Sequence, residues 1–236
     1  MQRSTDKDFG NVGVPFHSDI KIKLRNWEEG GYKVTHSEGP QGEILVSGAV
    51  VAEGYWNQPG LTAESFITDK DGSKWFCSGD IGFFDVQEGV FKIIDRKKDL
   101  IKLQMGQFVS LGKVEACLRM HGIVENVCVI ADPLKDHCVA LIVPDIDLLQ
   151  AMAQNLGLKF DNLEDLCQNP VLIEHVLTQL LDLSQKHLKS FETPKRIGLI
   201  PQIWTPEAGL VTATLKPKRK AIMEEYQDVI QQLYSS

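Results

Sequence analysis

The chain has no apolar run approaching the ~20 residues that a membrane-spanning helix needs. Its polar opening, MQRSTDKDFG, has no signal-peptide core, so this segment is expected neither to span a membrane nor to be secreted by its own signal. It also lacks a surplus of positive charge. At a net charge of −7 there is no global basic footprint for a nucleic-acid partner. No Cys-x-x-Cys pair occurs. The five cysteines (Cys77, Cys117, Cys128, Cys138 and Cys167) are odd in number and widely spaced, and they read as reduced thiols in a cytosol-facing compartment, most of them in the core. Internal repeats and low-complexity tracts are absent as well. What remains, 236 residues with 43% hydrophobic side chains, is enough for one large domain or two small ones.

Residues 1–94 read as β-rich. Ile20, Ile22 and Leu24 alternate with Lys21 and Lys23, the period of a half-buried strand. Glu43 to Ser47, Trp75 to Cys77 and Val90 to Ile94 are further strands, separated by Gly30-Gly31, Gly39-Pro40, Pro59-Gly60 and Asp71-Gly72 turns. Leu61 to Phe66 fits a short helix. The charged run Asp95 to Lys102 reads as a surface linker, with 95–100 as a hinge between the β-rich part and a second domain over 101–236. In that domain Ser110 can cap a helix to about Met120 with Leu111, Val114 and Leu118 on its apolar face. Val124 to Ala131 and Val139 to Val143 are strand-like, and Ile146 to Asn155 is helical. Asn169-Pro170 starts a helix carrying Ile173, Val176, Leu177, Leu180, Leu181 and Leu188 at helical spacing. Ile197 to Ile200 suggests a strand, and 218–233 a last helix. The second unit is therefore α+β, and the first, short for an independent domain, looks like one lobe of something larger.

Three places carry potential chemistry. Ser78-Gly79-Asp80 follows a strand as a glycine turn, and the Asp80 carboxylate can accept from both hydroxyls of a ribose, although Gly-Asp is also an ordinary turn. Arg96 stands sixteen residues on, where a guanidinium could hold a ribose hydroxyl or a phosphate, or simply end a strand in solvent. In GLVTATLKPKRK, the cluster Lys216, Lys218, Arg219 and Lys220 has three readings: a nuclear-import or anionic-lipid patch, a solvated helix end, or one lysine at a phosphate with the rest exposed. Cys77, beside Asp80, is either a small half-buried strand residue or a reactive thiol.

Together, Gly54 to Pro59, then Thr62, Glu64 and Phe66, the block WFCSGDIGFFDVQEGVFKIIDRKKDLIKL from Trp75 to Leu103, and the loop Gly209 to Lys220 stand in the order and spacing of the adenylate-forming superfamily. The chain resembles the C-terminal segment of eukaryotic long-chain fatty acyl-CoA synthetases. The phrases Ile22 to Tyr32 and Val109 to Glu115 look like the animal subgroup that favours polyunsaturated chains. The resemblance implies a fold made of the β-rich C-terminal lobe of the large adenylation domain, followed by a small mobile α+β domain. It implies ATP-dependent activation of a long-chain fatty acid to acyl-AMP and then transfer to coenzyme A, with the C-terminal domain rotating between the two steps. Asp80 and Arg96 would contact the nucleotide ribose, Lys98 would be the hinge, and Lys102 would hold the adenylate in the thioester-forming state. Gly106 would let the pantetheine arm of CoA pass, and Lys216 would bridge the fatty carboxylate and the α-phosphate.

The family's phosphate loop, its adenine-contacting segment, its Mg2+-binding glutamate and its fatty-acid tunnel are not in this sequence, which would begin in the middle of the large domain. Any Mg2+ ligand and any membrane anchor are thus expected upstream, and the resemblance implies residence on the cytosolic face of the endoplasmic reticulum or a related membrane. Gln107 and Phe108 stand where the family has a glutamate and a tyrosine or tryptophan. Two rival readings are a non-catalytic module docking on a partner, motivated by the missing phosphate loop, and a ligase of the same superfamily acting on a different acid.

Overall fold

The computed structural model describes residue 12 and residues 17–235. The polar opening 1–10 lies outside the described residues. The chain divides into two compact units, Met1–Leu100 and Ile101–Ser236.

In the first unit the alternating segments become β1 (Lys21–Arg25), β2 (Gln41–Ser47), α1 (Pro59–Ser65), β3 (Phe66–Thr68), β4 (Lys74–Asp85) and β5 (Val90–Arg96). The strands form one antiparallel five-stranded sheet in the order β1-β2-β4-β3, with β5 also on β4. β4 is its axis. β2 runs along one side of β4, while β3 and β5 share the other, β3 pairing with residues 74–76 and β5 with residues 80–85. Leu45, Ile81 and Trp75 are buried in this sheet.

The structure corrects one reading here. Ser78-Gly79-Asp80 is no turn but a bulge inside the twelve-residue strand β4. In the charged run expected to be a surface linker, Asp95 and Arg96 finish β5, Lys97–Asp99 form one 3₁₀ turn, and β6 (Leu100–Lys102) follows directly.

In the second unit β6 pairs with β7 (Phe108–Ser110) as a small hairpin. There follow α2 (Leu111–Leu118), β8 (Val124–Ala131), β9 (Cys138–Pro144), α3 (Ile146–Asn155), α4 (Leu163–Gln168), α5 (Pro170–Ser184), β10 (Arg196–Leu199), α6 (Arg219–Glu225) and α7 (Gln227–Ser235). β9 lies between β8, antiparallel, and β10, parallel, and all seven of its residues are buried. Strand alternation sorts its two faces. Val127, Val129, Ala140 and Ile142 pack with Leu111, Val114, Leu149, Leu172 and Val176 from α2, α3 and α5. Cys128, Ile130, Val139, Leu141 and Val143 pack with Trp204, Ile222 and Ile230 on the other side.

Local signals account for much of this. Ser110 Oγ accepts from the Lys113 amide at 3.3 Å and caps α2. Asn169 Oδ1 accepts from the Val171 and Leu172 amides at 3.0 and 3.2 Å, and Pro170 takes the first helical position, where its missing N–H costs nothing. Asn169→Ala removes both bonds and is expected to destabilise the chain by about 1 kcal/mol in urea unfolding followed by helical circular dichroism. An unchanged midpoint would refute this cap's contribution.

The last helix differs from expectation. It breaks at Tyr226, whose φ and ψ are −107° and 28° and whose hydroxyl accepts from Trp204 Nε1 at 3.3 Å. α4, capped by Asn162, is an element that the apolar pattern did not reveal.

Candidate functional site

The bulge in β4 sets the first group of residues. Cys77 and Ile81 pair with Leu45 and Glu43, so Ser78, Gly79 and Asp80 together face Ile44. Gly79 takes φ +75°, a left-handed conformation that costs a side-chain-bearing residue energy and a glycine little. Ser78 repairs the interrupted ladder: its hydroxyl donates to the Ile44 carbonyl at 2.8 Å and accepts from the Asp80 amide at 3.1 Å. Nothing in the sequence singled out Ser78, because serine in such a position reads as turn chemistry. Asp80, the last residue of the bulge, is the first residue of β4 to pair with β5, and its partner is Arg96, the last residue of that strand.

Arg96 Nε donates to Asp80 Oδ1 at 2.7 Å. The bond, reinforced by the carboxylate charge, raises the guanidinium above its ordinary value. Asp80 is about one-fifth exposed and Arg96 about three-fifths. Among the described residues Oδ2 of Asp80 and the terminal nitrogens of Arg96 take no further hydrogen bond. The pair therefore presents an acceptor and a planar set of donors side by side, a combination suited to a vicinal diol or an adjacent anion.

Beside this pair lies a buried carboxylate that sequence reading passed over. Glu43 is 3% exposed and is held by the Arg25 guanidinium and, at 3.4 Å, by Lys97 Nζ. Lys97 also lies 5.5 Å from the Trp27 ring centre. The residue after Arg96 is thus tied back into the sheet, while Lys98 is exposed. Cys77 sits in the same sheet, half-buried, and burial pushes its thiol up, away from the low range of reactive cysteines. Burial likewise pushes Cys128 and Cys138 up to about 12 and Cys167 to about 11, and all five thiols are free.

In the second unit, Lys102 is exposed on β6 with its ammonium 5.8 Å from the Phe108 ring centre. Gly106 closes the β6–β7 hairpin: its amide donates to the Leu103 carbonyl at 2.8 Å and its φ is +87°. No atom within 4 Å would meet a side chain there. The turn conformation alone accounts for the glycine, whatever passes over it.

Lys216 stands in a tight loop. Its amide donates to Thr212 Oγ1 at 3.1 Å, its carbonyl accepts from the Thr212 amide at 2.9 Å, and Val211 bridges to Pro217. The preceding residue, Leu215, has φ +59°, one of two described non-glycine residues with positive φ. Such strain persists only where surrounding contacts enforce it, and it gathers at functional sites. The Lys216 side chain is exposed and has no ion-pair partner among the described residues. Arg219 behaves oppositely: it turns inward to Glu115 Oε1 at 2.6 Å and to the Val129 carbonyl. A patch of four exposed cations is thereby excluded, because one of the four is a partner of a buried carboxylate.

No described helix is long and apolar enough to cross a membrane. Among the described residues no group of three or more His, Cys, Asp or Glu side chains is placed to hold a metal ion.

No protein-family model matches the chain. It is 42% identical, over 98% of its length, to long chain acyl-CoA synthetase 8 of Arabidopsis thaliana, and 35% identical, over 91%, to long-chain-fatty-acid–CoA ligase 1 of Schizosaccharomyces pombe. It spans about a third of each, 32% and 31% respectively. Among solved structures, the adenylation domain of a Mycobacterium chelonae carboxylate reductase superposes with a TM-score of 0.78 at 25% identity, covering 95% of this chain and 32% of that one. The adenylation domain of a Segniliparus rugosus carboxylic acid reductase, in complex with AMP and a co-purified carboxylic acid, gives 0.76 at 25% identity over 91% and 31%. The mixed α+β fold is that of the matching portion of these adenylation domains.

Proposed function

We propose that this chain is the C-terminal portion of an ATP-dependent ligase that converts long-chain fatty acids to their CoA thioesters through an acyl-adenylate. The observation that carries this reading is the Asp80–Arg96 pair, mounted on a bulged strand with Oδ2 and the terminal guanidinium nitrogens uncommitted. It supports an assignment to the ribose of ATP, with Asp80 accepting from the hydroxyls and Arg96 donating.

In the first half-reaction a carboxylate oxygen of the fatty acid attacks the α-phosphorus, the bond to the β-phosphate breaks, and pyrophosphate leaves. Lys216 supplies the cation that lets two anions meet and that offsets the charge growing on the phosphoryl oxygens. In the second, the CoA sulfur attacks the acyl carbonyl and AMP leaves. Lys102 is assigned to the adenylate in this step, Gly106 to the passage of pantetheine, and Lys98, exposed just before residue 101, to the hinge. Mg2+ would accompany ATP through ligands outside this chain, as would any attachment to the endoplasmic reticulum. The finer reading, an animal-type preference for polyunsaturated chains, rests only on the phrases Ile22 to Tyr32 and Val109 to Glu115.

A chimaera tests the assignment. This chain would replace the matching third of the Arabidopsis synthetase, and pyrophosphate release and acyl-CoA formation would be measured with palmitate and arachidonate. Both products are expected. A folded chimaera that forms neither would overturn the reading and favour a non-catalytic docking module.

A further inference from the structure

We propose that Arg219, gripped by Glu115, is the positioning residue for Lys216: it fixes the lysine loop to strand β8 so that the ammonium is presented in one direction. The proposal rests on the reading of Lys216 given above.

Lys216 Nζ has no protein partner among the described residues, so its direction is set by the loop that carries it. That loop is closed internally through Thr212, and at its base the Lys218 amide donates to the Leu210 carbonyl at 2.8 Å. These bonds shape the loop, but they do not tie it to the sheet. Two contacts do. Asn126 Nδ2, on β8, donates to the carbonyl of Leu215, the strained residue next to Lys216, at 3.4 Å.

Three residues beyond Lys216, Arg219 opens α6 and sends one terminal nitrogen to three acceptors: Glu115 Oε1 at 2.6 Å, the Val129 carbonyl, and Cys128 Sγ at 3.4 Å. Glu115 Oε1 accepts in addition from the Val129 amide at 2.9 Å. The carboxylate thus joins α2, β8 and the start of α6 in one knot. The Glu115 side chain is 8% exposed and that of Arg219 25%, so water screens the pair little. Lys218 and Lys220 are exposed, and the pair that Lys220 makes with Glu224, at 3.8 Å, is itself in solvent. All three contacts of Arg219 come from one nitrogen at the far end of the side chain, and a lysine ammonium, which ends one bond short of that position, does not reach all three acceptors from the same backbone position.

The test separates positioning from stability through the two half-reactions, since Lys216 is assigned to the first alone. In the ligase chimaera, Arg219→Lys keeps the charge and loses the reach to Glu115 and the Val129 carbonyl. It is expected to lower the rate of acyl-adenylate formation about tenfold while thioester formation from supplied acyl-adenylate stays within about twofold, as a displaced reacting group requires. Glu115→Gln, which retains an acceptor for the Val129 amide, should give the same one-sided loss, and it serves if Arg219→Lys fails to fold. Equal loss in both half-reactions, or no loss in either, overturns the proposal. Lys216→Ala is the control. If that variant adenylates normally, the assignment of Lys216 is at fault; if it does not, while Arg219→Lys and Glu115→Gln do, the positioning role alone is wrong.

Discussion

Lys216→Ala, introduced into the ligase chimaera, is expected to lower acyl-adenylate formation roughly 10²–10³-fold, the effect of removing one preplaced electrostatic group. The measurement is fatty-acid-dependent exchange of pyrophosphate into ATP. Thioester formation from supplied acyl-adenylate should survive, because the phosphoryl oxygens that need the cation have by then lost pyrophosphate and hold less charge. The asymmetry follows from where the lysine sits: it is exposed on a strained loop, with no carboxylate partner among the described residues to neutralise it. A buried or paired lysine would instead act on folding and depress both steps together. Lys216→Arg keeps the charge but spreads it over a plane, so only partial activity should return. Equal loss of the two half-reactions in Lys216→Ala would remove the lysine from the first of them.

Asp80→Ala should lower kcat/KM for ATP about 100-fold, the effect of losing two hydrogen bonds to a charged acceptor. A simple rate loss does not identify the group recognised, so the decisive comparison is ATP against its 2′,3′-dideoxy analogue. The unmodified chimaera should prefer ATP strongly, and Asp80→Ala should lose most of that preference, since the carboxylate that accepts from the hydroxyls is gone and only Arg96 remains beside them. Asp80→Asn keeps an acceptor oxygen and should fall between the two. The variant also frees Arg96 from its 2.7 Å bond, so a guanidinium drifting to another anion would raise KM further. If Asp80→Ala retains the full preference for ATP, the ribose is read elsewhere.

Much of the fold was legible as period and punctuation. The Val124–Ala131 strand and the Ile146–Asn155 helix stand where the apolar pattern predicts them, and the Asn169-Pro170 signal starts a helix through two amide bonds to one side chain. These are local effects: a strand's alternation, a helix's spacing and a cap each involve residues within a few positions. Where the fold departs from expectation, distant partners are involved. The Ser78-Gly79-Asp80 segment has turn composition, yet β2 and β5 pair on either side of it, so the chain bulges instead of reversing. The final helix has an unbroken apolar stripe but yields at Tyr226, which meets Trp204 across the loop before it.

The same division runs through the site. Sequence alone determined that an acidic group stands at residue 80, a guanidinium at 96 and a cluster of four cations at 216–220, because these are matters of composition and spacing. Only the tertiary structure decided which of them meet. Asp80 and Arg96 are opposite one another because the register of β4 and β5 makes them so. Glu115 lies on the buried stripe of α2 at helical spacing from Leu111 and Leu118, and the sequence reading gave it no role and no partner. Its partner, Arg219, lies 104 residues away and is withdrawn from the basic cluster by a buried carboxylate, while Lys216 is left exposed. Helical spacing tells which face a residue occupies but not what the face will meet, and a charge is drawn inward only when folding brings its counter-charge into a place where water cannot compete.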